Sequence, residues 1–141
     1  MNRLRVLIAD DHEHARWTIS CLLTSKYSIA GSVADGKQLL DAAMAHHPDV
    51  IVSDVAMPLV TGPEAMRELR ARGLDIPFVL MSTNSVGATE YIREGAMAFV
   101  DKIDIGYELE PAVLAASIGQ VYFSRSARSS LLGCSVRQTV C

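Results

Sequence analysis

Residues 50–55 read Val-Ile-Val-Ser-Asp-Val, and this short apolar run predicts a strand that is buried on both faces. A strand with one face in water would alternate apolar and polar residues, whereas this run does not alternate. The run carries a carboxylate, Asp54, close to its end, and Met57-Pro58 then breaks the strand. A similar run at residues 4–9 stops at Asp10-Asp11. Both runs therefore indicate parallel strands with acidic carboxyl ends.

Apolar runs and segments of helical spacing alternate through the first 120 residues. Further strands are predicted at residues 27–33, 76–81 and 97–100, and helices at residues 13–24, 37–46, 63–72, 85–94 and 106–120. Five strand–helix units in strict alternation require a parallel sheet with helices on both faces. The predicted fold class is therefore α/β, a doubly wound five-stranded parallel sheet with five helices.

Length and composition indicate one globular domain. The chain has 141 residues, of which 50% are hydrophobic and 21% charged, a mixture that excludes intrinsic disorder. The net charge of −3 argues against a dedicated binder of polyanions.

No apolar run approaches the roughly 18 residues of a membrane span, and the N-terminus lacks the apolar centre of a signal peptide. Three cysteines without a CxxC pair fit neither a disulfide framework nor a zinc site. We therefore expect a cytosolic protein with no membrane partner.

The end of the chain differs in charge from the rest. All 16 acidic residues lie within residues 1–110, whereas residues 111–141 carry arginines and no acid. Residues 123–141 are rich in Ser and Arg and weakly patterned, which favours a linker or disordered tail after a domain of residues 1–122. A short contact with nucleic acid or a partner is the alternative for this tail.

Polar residues follow four of the predicted strands. They are Asp10-Asp11, Asp54, Ser82-Thr83 and Lys102. The carboxyl ends of parallel strands meet at one edge of a sheet, where ligands bind in this fold class. Each acid alone is more often a turn residue or a helix cap, so the combination carries the prediction. Neighbouring carboxylates repel one another unless a cation compensates, and an oxygen-rich cluster suits Mg²⁺.

These positions fall within motifs that resemble the receiver domain of two-component response regulators, over about residues 3–120. The motifs are residues 6–11 (Val-Leu-Ile-Ala-Asp-Asp), residues 49–58 (Asp-Val-Ile-Val-Ser-Asp-Val-Ala-Met-Pro), Gly62, Ser82-Thr83 and residues 99–102 (Phe-Val-Asp-Lys). The resemblance implies the strand order 2-1-3-4-5 and a signalling switch controlled by phosphorylation.

Residues 108–124 resemble the end of the receivers of LuxR/NarL-type transcription regulators. In those proteins a helix-turn-helix domain that binds DNA comes next. Only 17 residues follow Ser124, too few for such a domain. We therefore expect a stand-alone receiver or a fragment, which would reach DNA only through an effector domain that this sequence lacks.

The resemblance implies a phosphoacceptor and a metal site. Asp54 would be the nucleophile that accepts a phosphoryl group from the phosphohistidine of a sensor histidine kinase or phosphotransfer protein. Asp54 and Asp11 would bind Mg²⁺ directly, and Asp10 would bind it through water. The backbone carbonyl of Ala56 would be a further ligand.

The resemblance also implies a switch. Lys102 and Ser82 would contact phosphoryl oxygens, with help from the backbone of Thr83. As Ser82 moved towards the phosphoryl group, Phe99 would fill the space behind it. The face built from helix four, strand five and helix five would then change, and a homodimer could form through it.

Several residues differ from those common in receivers, and two others occupy positions that affect hydrolysis of the phosphoaspartate. Phe99 stands where many members have Tyr, Ser82 where Thr is commoner, and Ile103 where many have Pro, so the turn after strand five is expected to differ. Ala56 and Asn84 occupy positions that tend to modulate hydrolysis of the phosphoaspartate. Because Ala56 offers no side chain to orient water, we expect unremarkable or slow self-dephosphorylation.

Other functions stay open on the sequence. A flavodoxin-like cofactor binder would need a glycine- and hydroxyl-rich phosphate loop, where this chain has Asp10-Asp11-His12. A Mg²⁺-dependent phosphohydrolase would need an acid–base residue beside Asp54, but Val55 and Ala56 follow it. A receiver that acts as an interaction module without phosphorylation is the third alternative. We expect no enzyme beyond slow self-phosphorylation and self-dephosphorylation.

Overall fold

The strands form one parallel sheet in a computed structural model, which describes residues 3–131. The strands are β1 (Arg5–Ala9), β2 (Ser28–Val33), β3 (Val50–Asp54), β4 (Phe78–Ser82), β5 (Ala98–Asp101) and β6 (Tyr122–Phe123). Their order is β2-β1-β3-β4-β5-β6, and every neighbouring pair is parallel. The predicted doubly wound fold and the order 2-1-3-4-5 are confirmed, with a sixth short strand added.

Five helices connect the strands. They are α1 (Glu13–Leu23), α2 (Gly36–His46), α3 (Gly62–Ala71), α4 (Ala88–Arg93) and α5 (Ile105–Ser117), and a 3₁₀ turn, Lys102–Asp104, precedes α5. One apolar cluster packs the sheet against α1 and α5, and a second packs it against α2, α3 and α4. Both faces of the central strands are therefore covered, as their unbroken apolar sequences require.

The loop after β3 is held closely to the end of that strand, where Asp54 lies. The backbone N–H of Gly62 donates to the carbonyl of Val55 at 3.0 Å, so α3 begins directly beside the end of β3. A Cβ at Gly62 would lie far inside van der Waals contact of the Asp54 carbonyl oxygen, so only glycine fits there. Thr61 and Glu64 form a reciprocal capping box that fixes this first turn of α3.

Packed structure continues past the domain end predicted at residue 122. Tyr122–Phe123 forms β6 beside β5, residues 125–131 are helical, and Ala127 is fully buried. The predicted linker or tail at 123–141 therefore needs correction as far as residue 131. A two-residue strand has no readable period, and this helix buries little more than one small side chain, so the sequence pattern was too weak to show either. Residues 132–141 lie outside the described part of the chain.

Among residues 3–131, no helix combines the length and apolar character needed to cross a membrane.

Candidate functional site

Carboxylates from two neighbouring strands meet at the carboxyl edge of the sheet. Asp10 follows β1 and is fully buried, Asp54 ends β3 with 6% exposure, and Asp11 is exposed. Ligand atoms of Asp10, Asp11, His12 and Asp54 all lie within 4.8 Å of one another. The structure therefore brings together the three acids that the sequence analysis grouped, because β1 and β3 are adjacent and in register.

Asp10 is fixed by its own neighbours in the chain. Its Oδ1 accepts a hydrogen bond from the backbone N–H of His12 at 2.9 Å, and its backbone carbonyl accepts one from Arg16 at 2.7 Å. These bonds orient Oδ2 of Asp10 towards the rest of the site, where it meets Lys102.

Lys102 is the cation of this cluster. Its Nζ donates to Asp10 Oδ2 at 2.8 Å and to Asp54 Oδ2 at 3.1 Å. Lys102 begins the 3₁₀ turn after β5, so its side chain reaches across β4 to both carboxylates. Sequence analysis placed Lys102 at the same edge of the sheet, and the structure places it in direct contact with the predicted phosphoacceptor.

The electrostatics of the site favour a further cation. Burial raises the pKa of Asp54, and the charges of Asp10 and Asp11 act in the same direction, against the lowering by Lys102. Burial by itself lowers the pKa of Lys102, but the hydrogen bond that Lys102 donates to Asp10 and the charges of both acids outweigh it and raise the pKa overall. Three carboxylates share one ammonium, so a divalent cation would relieve the remaining repulsion.

Ser82 ends β4, the strand between those of Asp54 and Lys102, and Thr83 and Asn84 lie in the loop that follows. Ser82 is half-buried, and its Oγ accepts a hydrogen bond from the backbone N–H of Asn84 at 3.4 Å. Thr83 and Asn84 are exposed, as is Ala56 in the loop after β3. Among the described residues, none of these four side chains hydrogen-bonds to Asp54. The roles predicted for these residues involve a phosphoryl group bound to Asp54, and they stay predictions.

Phe99 lies in the core beneath α4. It is fully buried, and its ring stacks on Tyr91 of α4 at 6.2 Å between centroids. The phenylalanine at this position thus connects β5 with α4 by packing alone, without the hydroxyl that a tyrosine would bring.

Two further residues lie beside the site that the sequence analysis did not include among its site residues. His12 Nδ1 lies 3.1 Å from Asp11 Oδ1 and 3.3 Å from Asp10 Oδ1, although its side chain is 71% exposed. Asp101, just before Lys102, is buried and accepts hydrogen bonds from Ser85 Oγ at 3.0 Å and from the backbone N–H of Ile103 at 3.2 Å. A buried acid at the end of an apolar strand was the available signal for Asp101, since such a group needs partners.

A comparison with protein families assigns the chain to a class. The family described as "Response regulator receiver domain" matches residues 6–109. The match includes every acid of the cluster and Lys102, together with the whole of β1 to β5 apart from the first residue of β1. This chain therefore belongs to the response regulator receiver family.

Individual relatives agree with this assignment. The transcriptional regulatory protein PdtaR of Mycobacterium tuberculosis is 32% identical over 111 residues, covering 77% of this chain and 54% of PdtaR. A protein-glutamate methylesterase/protein-glutamine glutaminase of Methanosarcina mazei is 32% identical over 112 residues, covering 75% of this chain and 31% of that protein. The chain thus spans about half of the first relative and a third of the second.

A solved structure supports the fold. The signal receiver domain of the response regulator NarL from Mycobacterium tuberculosis superimposes with a TM-score of 0.80 at 27% identity. The match covers 85% of this chain and 100% of the NarL chain.

Proposed function

We propose that this chain is a receiver that accepts a phosphoryl group on Asp54 from the phosphohistidine of a sensor histidine kinase or phosphotransfer protein. One observation carries the proposal: Lys102 Nζ contacts both Asp10 and Asp54, at 2.8 and 3.1 Å, inside the acidic cluster. Phosphoryl transfer depends on positioning and on neutralised charge more than on acid–base groups, and this arrangement offers both. Membership of the receiver family supports the same conclusion.

The donor chemistry of the cluster fits Mg²⁺. The carboxylates of Asp10, Asp11 and Asp54 offer hard oxygen ligands close together, and the exposure of Asp11 leaves room for the waters that Mg²⁺ retains. We expect Asp11 and Asp54 to bind the ion directly, Asp10 to bind it through water, and the backbone carbonyl of Ala56 to complete the protein ligands. Bound Mg²⁺ neutralises charge on the phosphoryl oxygens.

The side chains of the chain itself position the reacting groups. A carboxylate oxygen of Asp54 attacks the phosphorus, the bond from phosphorus to the donor imidazole breaks, and the electron pair stays on the imidazole nitrogen. The ammonium of Lys102, already beside Asp54, then contacts one phosphoryl oxygen. The Ser82 hydroxyl and the Thr83 backbone N–H, at the end of the adjacent strand, donate to the others.

The proposed output is a change in the α4-β5-α5 face, the surface formed by those three elements. The phosphoryl group adds about −1.5 to −2 of charge, which draws Ser82 towards it and leaves space beside Phe99. Because Phe99 packs on Tyr91, the change reaches α4. We expect the face to act through homodimerisation or through an effector domain. Contact with DNA is expected only through such an effector domain.

Transcription is the output we favour, because PdtaR is a transcriptional regulatory protein. Ala56 and Asn84 tune the lifetime of the phosphoryl group, and the exposed methyl group of Ala56 cannot orient a water molecule. The chain acts in the cytosol and has no enzymatic activity beyond slow self-phosphorylation and self-dephosphorylation.

Intact-mass spectrometry after incubation with Mg²⁺ and acetyl phosphate tests the proposal. We expect one added phosphoryl group in the wild-type chain and in Asp41→Asn, a change to an exposed acid on α2. Asp54→Asn and the wild-type chain without Mg²⁺ should gain none. A wild-type chain that stays unlabelled while a control receiver labels would contradict the proposal and favour an interaction module that works without phosphorylation.

A further inference from the structure

The segment of residues 122–131, here the 122–131 segment, attaches to the fold beside the turn that carries Lys102. The backbone N–H of Tyr122 donates to the Met97 carbonyl at 3.1 Å, and that of Ser124 donates to the Phe99 carbonyl at 3.0 Å. Ala127 is fully buried in the same apolar cluster as Phe99. The segment is thus joined to β5 by strand pairing and to the core by packing.

Asp101 connects this segment with two other parts of the site. Its backbone N–H donates to the Ser124 hydroxyl at 3.0 Å, and both groups are buried. Its side chain accepts from Ser85, in the loop that follows Ser82, and from the backbone N–H of Ile103. Asp101 directly precedes Lys102, so the loop after β4, the 3₁₀ turn and the 122–131 segment meet at one residue.

A second contact ties the segment to the other end of the same turn. The Asp104 carboxylate accepts hydrogen bonds from the backbone N–H of Ser126 at 2.8 Å and from the Ser126 hydroxyl at 2.9 Å. Burial by itself raises the pKa of Asp104, but the hydrogen bonds from Ser124 and Ser126 outweigh it and lower the pKa overall, as expected for a bound carboxylate. Lys102 therefore lies between two residues that both bind the segment.

Contacts farther along α5 hold the start of the segment. Glu108 accepts hydrogen bonds from the Tyr122 hydroxyl and from the backbone N–H of Arg125, each at 2.7 Å. The carboxylates of Asp104 and Glu108 and the backbone N–H of Asp101 therefore all find partners in one short piece of chain. Such a cooperative set of buried and half-buried bonds forms or breaks as a unit.

We propose that the 122–131 segment is a restraint that holds Lys102 in its position between Asp10 and Asp54, and that a phosphoryl group on Asp54 weakens the attachment of this segment. The inference rests on the proposed function of Asp54. In the present structure all three hydrogen bonds of Asp101 are made while Lys102 contacts the bare carboxylates. The segment is therefore attached in the arrangement in which Lys102 contacts the Asp10 and Asp54 carboxylates themselves.

The expected direction follows from the geometry. A phosphoryl group places oxygens farther from the Asp54 backbone than its own carboxylate oxygens, so Lys102 must move to contact them. Movement of Ser82 towards the same group draws the loop that carries Ser85 away from Asp101. Both movements strain the bonds of Asp101, and Ser124 is bound to the backbone of that residue. Because coupling is reciprocal, loosening the segment must in turn favour the phosphoryl state.

Beryllofluoride, a stable phosphoryl mimic, tests both directions in the full chain. Hydrogen exchange followed by mass spectrometry reports the backbone N–H groups of residues 122–131, and ¹⁹F NMR reports bound beryllofluoride and its affinity. With Mg²⁺ and beryllofluoride, exchange of the 122–131 segment should speed up at least threefold in the wild-type chain and stay unchanged in Asp54→Asn. A coupling of this size is at the low end of those known between sites.

Variants of the segment give the reciprocal measurement. Ser124→Ala removes the acceptor of the Asp101 N–H and should bind beryllofluoride about threefold to tenfold more tightly than wild type. Ser129→Ala, an exposed change in the same helix, should bind as the wild type does. Ser126→Ala breaks only the hydroxyl contact with Asp104 and gives a second, milder test that does not disturb a buried group.

The outcomes separate this inference from the proposed function. A bound ¹⁹F signal with unchanged or slower exchange in the 122–131 segment would overturn the inference alone. So would equal or weaker beryllofluoride binding by both Ser124→Ala and Ser126→Ala than by Ser129→Ala. No bound signal in the wild-type chain would contradict the proposed function itself, and the inference that rests on it would fall too.

Discussion

Lys102 joins parts of the chain that are far apart in sequence. Its ammonium contacts Asp10 and Asp54, which lie 92 and 48 residues away. Among the described lysines and arginines, only Lys102 contacts the carboxylate groups of these two buried acids. Burial raises the pKa of Asp54, and the charges of Asp10 and Asp11 act in the same direction.

Replacing Asp54 by Asn should stabilise the folded chain at pH 7 in the absence of divalent cations. The pKa of Asp54 is raised in the folded state, so the folded chain prefers the protonated form, and ionisation of Asp54 lowers stability as the pH rises through that pKa. Urea unfolding should show a higher midpoint for Asp54→Asn at pH 7. The difference should shrink as the pH falls towards the ordinary value of 3.8, where the wild-type carboxyl is also neutral.

Asp41→Asn is the matched control for that measurement. Asp41 is an exposed acid on α2, so its replacement should change the free energy of unfolding by no more than about 0.5 kcal/mol at any pH. Addition of Mg²⁺ should stabilise the wild-type chain more than Asp54→Asn, because the variant lacks one ligand. An Asp54→Asn chain less stable than wild type at pH 7 would show that the contact with Lys102 outweighs burial.

At the scale of elements, the site depends on how closely α3 approaches the end of β3. Gly62 begins α3, and its missing side chain is what allows the approach to the Asp54 carbonyl. The capping box of Thr61 and Glu64 fixes the helix start in this position. The backbone that carries Asp54 is thus held in place by the start of a helix.

Gly62→Ala should destabilise the chain by about 2–3 kcal/mol and slow the labelling of Asp54. The added Cβ meets backbone atoms of Asp54, which cannot move without shifting the end of β3. The matched control is Gly106→Ala in α5, where a Cβ has open space and alanine should stabilise the helix by up to about 1 kcal/mol. Urea unfolding and intact-mass labelling measure both effects, and equal behaviour of the two variants would contradict the prediction.

The elements also show how far sequence alone can predict this molecule. The strands β1, β3 and β4 each contain an uninterrupted run of at least three apolar residues, and burial on both faces makes such runs recognisable in the sequence. The two residues of β6 carry no period, and they form a strand only because the edge of β5 is available to them. Helix α4 was predicted to begin at residue 85 but begins at Ala88, since Ser85 is bound to Asp101 instead.

The site also contains some residues that could be predicted from the sequence and some contacts that could not. Asp10, Asp54 and Lys102 were predictable because each ends or follows a parallel strand, and such ends meet at one edge. The partners of Asp101 were not, because Ser124 lies 23 residues further on in a segment without a clear pattern. Which group pairs with a buried donor or acceptor is decided by tertiary packing, and residue order alone does not reveal it.

On the scale of the whole molecule, the sixth strand changes the surface expected to carry the output. A five-stranded receiver would expose the edge of β5 between α4 and α5. Here β6 occupies that edge, and Ala127 packs with Tyr91 and Phe99 beneath α4. The α4-β5-α5 face is therefore partly covered in this structure, while Tyr107 of α5 is 93% exposed.

Dimerisation through this face should accordingly depend on the state of Asp54. In sedimentation velocity runs the wild-type chain should be monomeric alone and should form a dimer with Mg²⁺ and beryllofluoride, because loosening of the 122–131 segment uncovers the face. Tyr107→Asp should weaken that dimer at least about tenfold, since it places a charge among apolar contacts of the interface. Met44→Asp, a comparable change on α2 at the other side of the sheet, should dimerise as the wild type does. Tyr107→Asp should still bind beryllofluoride, which separates loss of the interface from loss of the site. A dimer of equal strength in Tyr107→Asp, or a wild-type chain that stays monomeric while beryllofluoride is bound, would place the output on another surface.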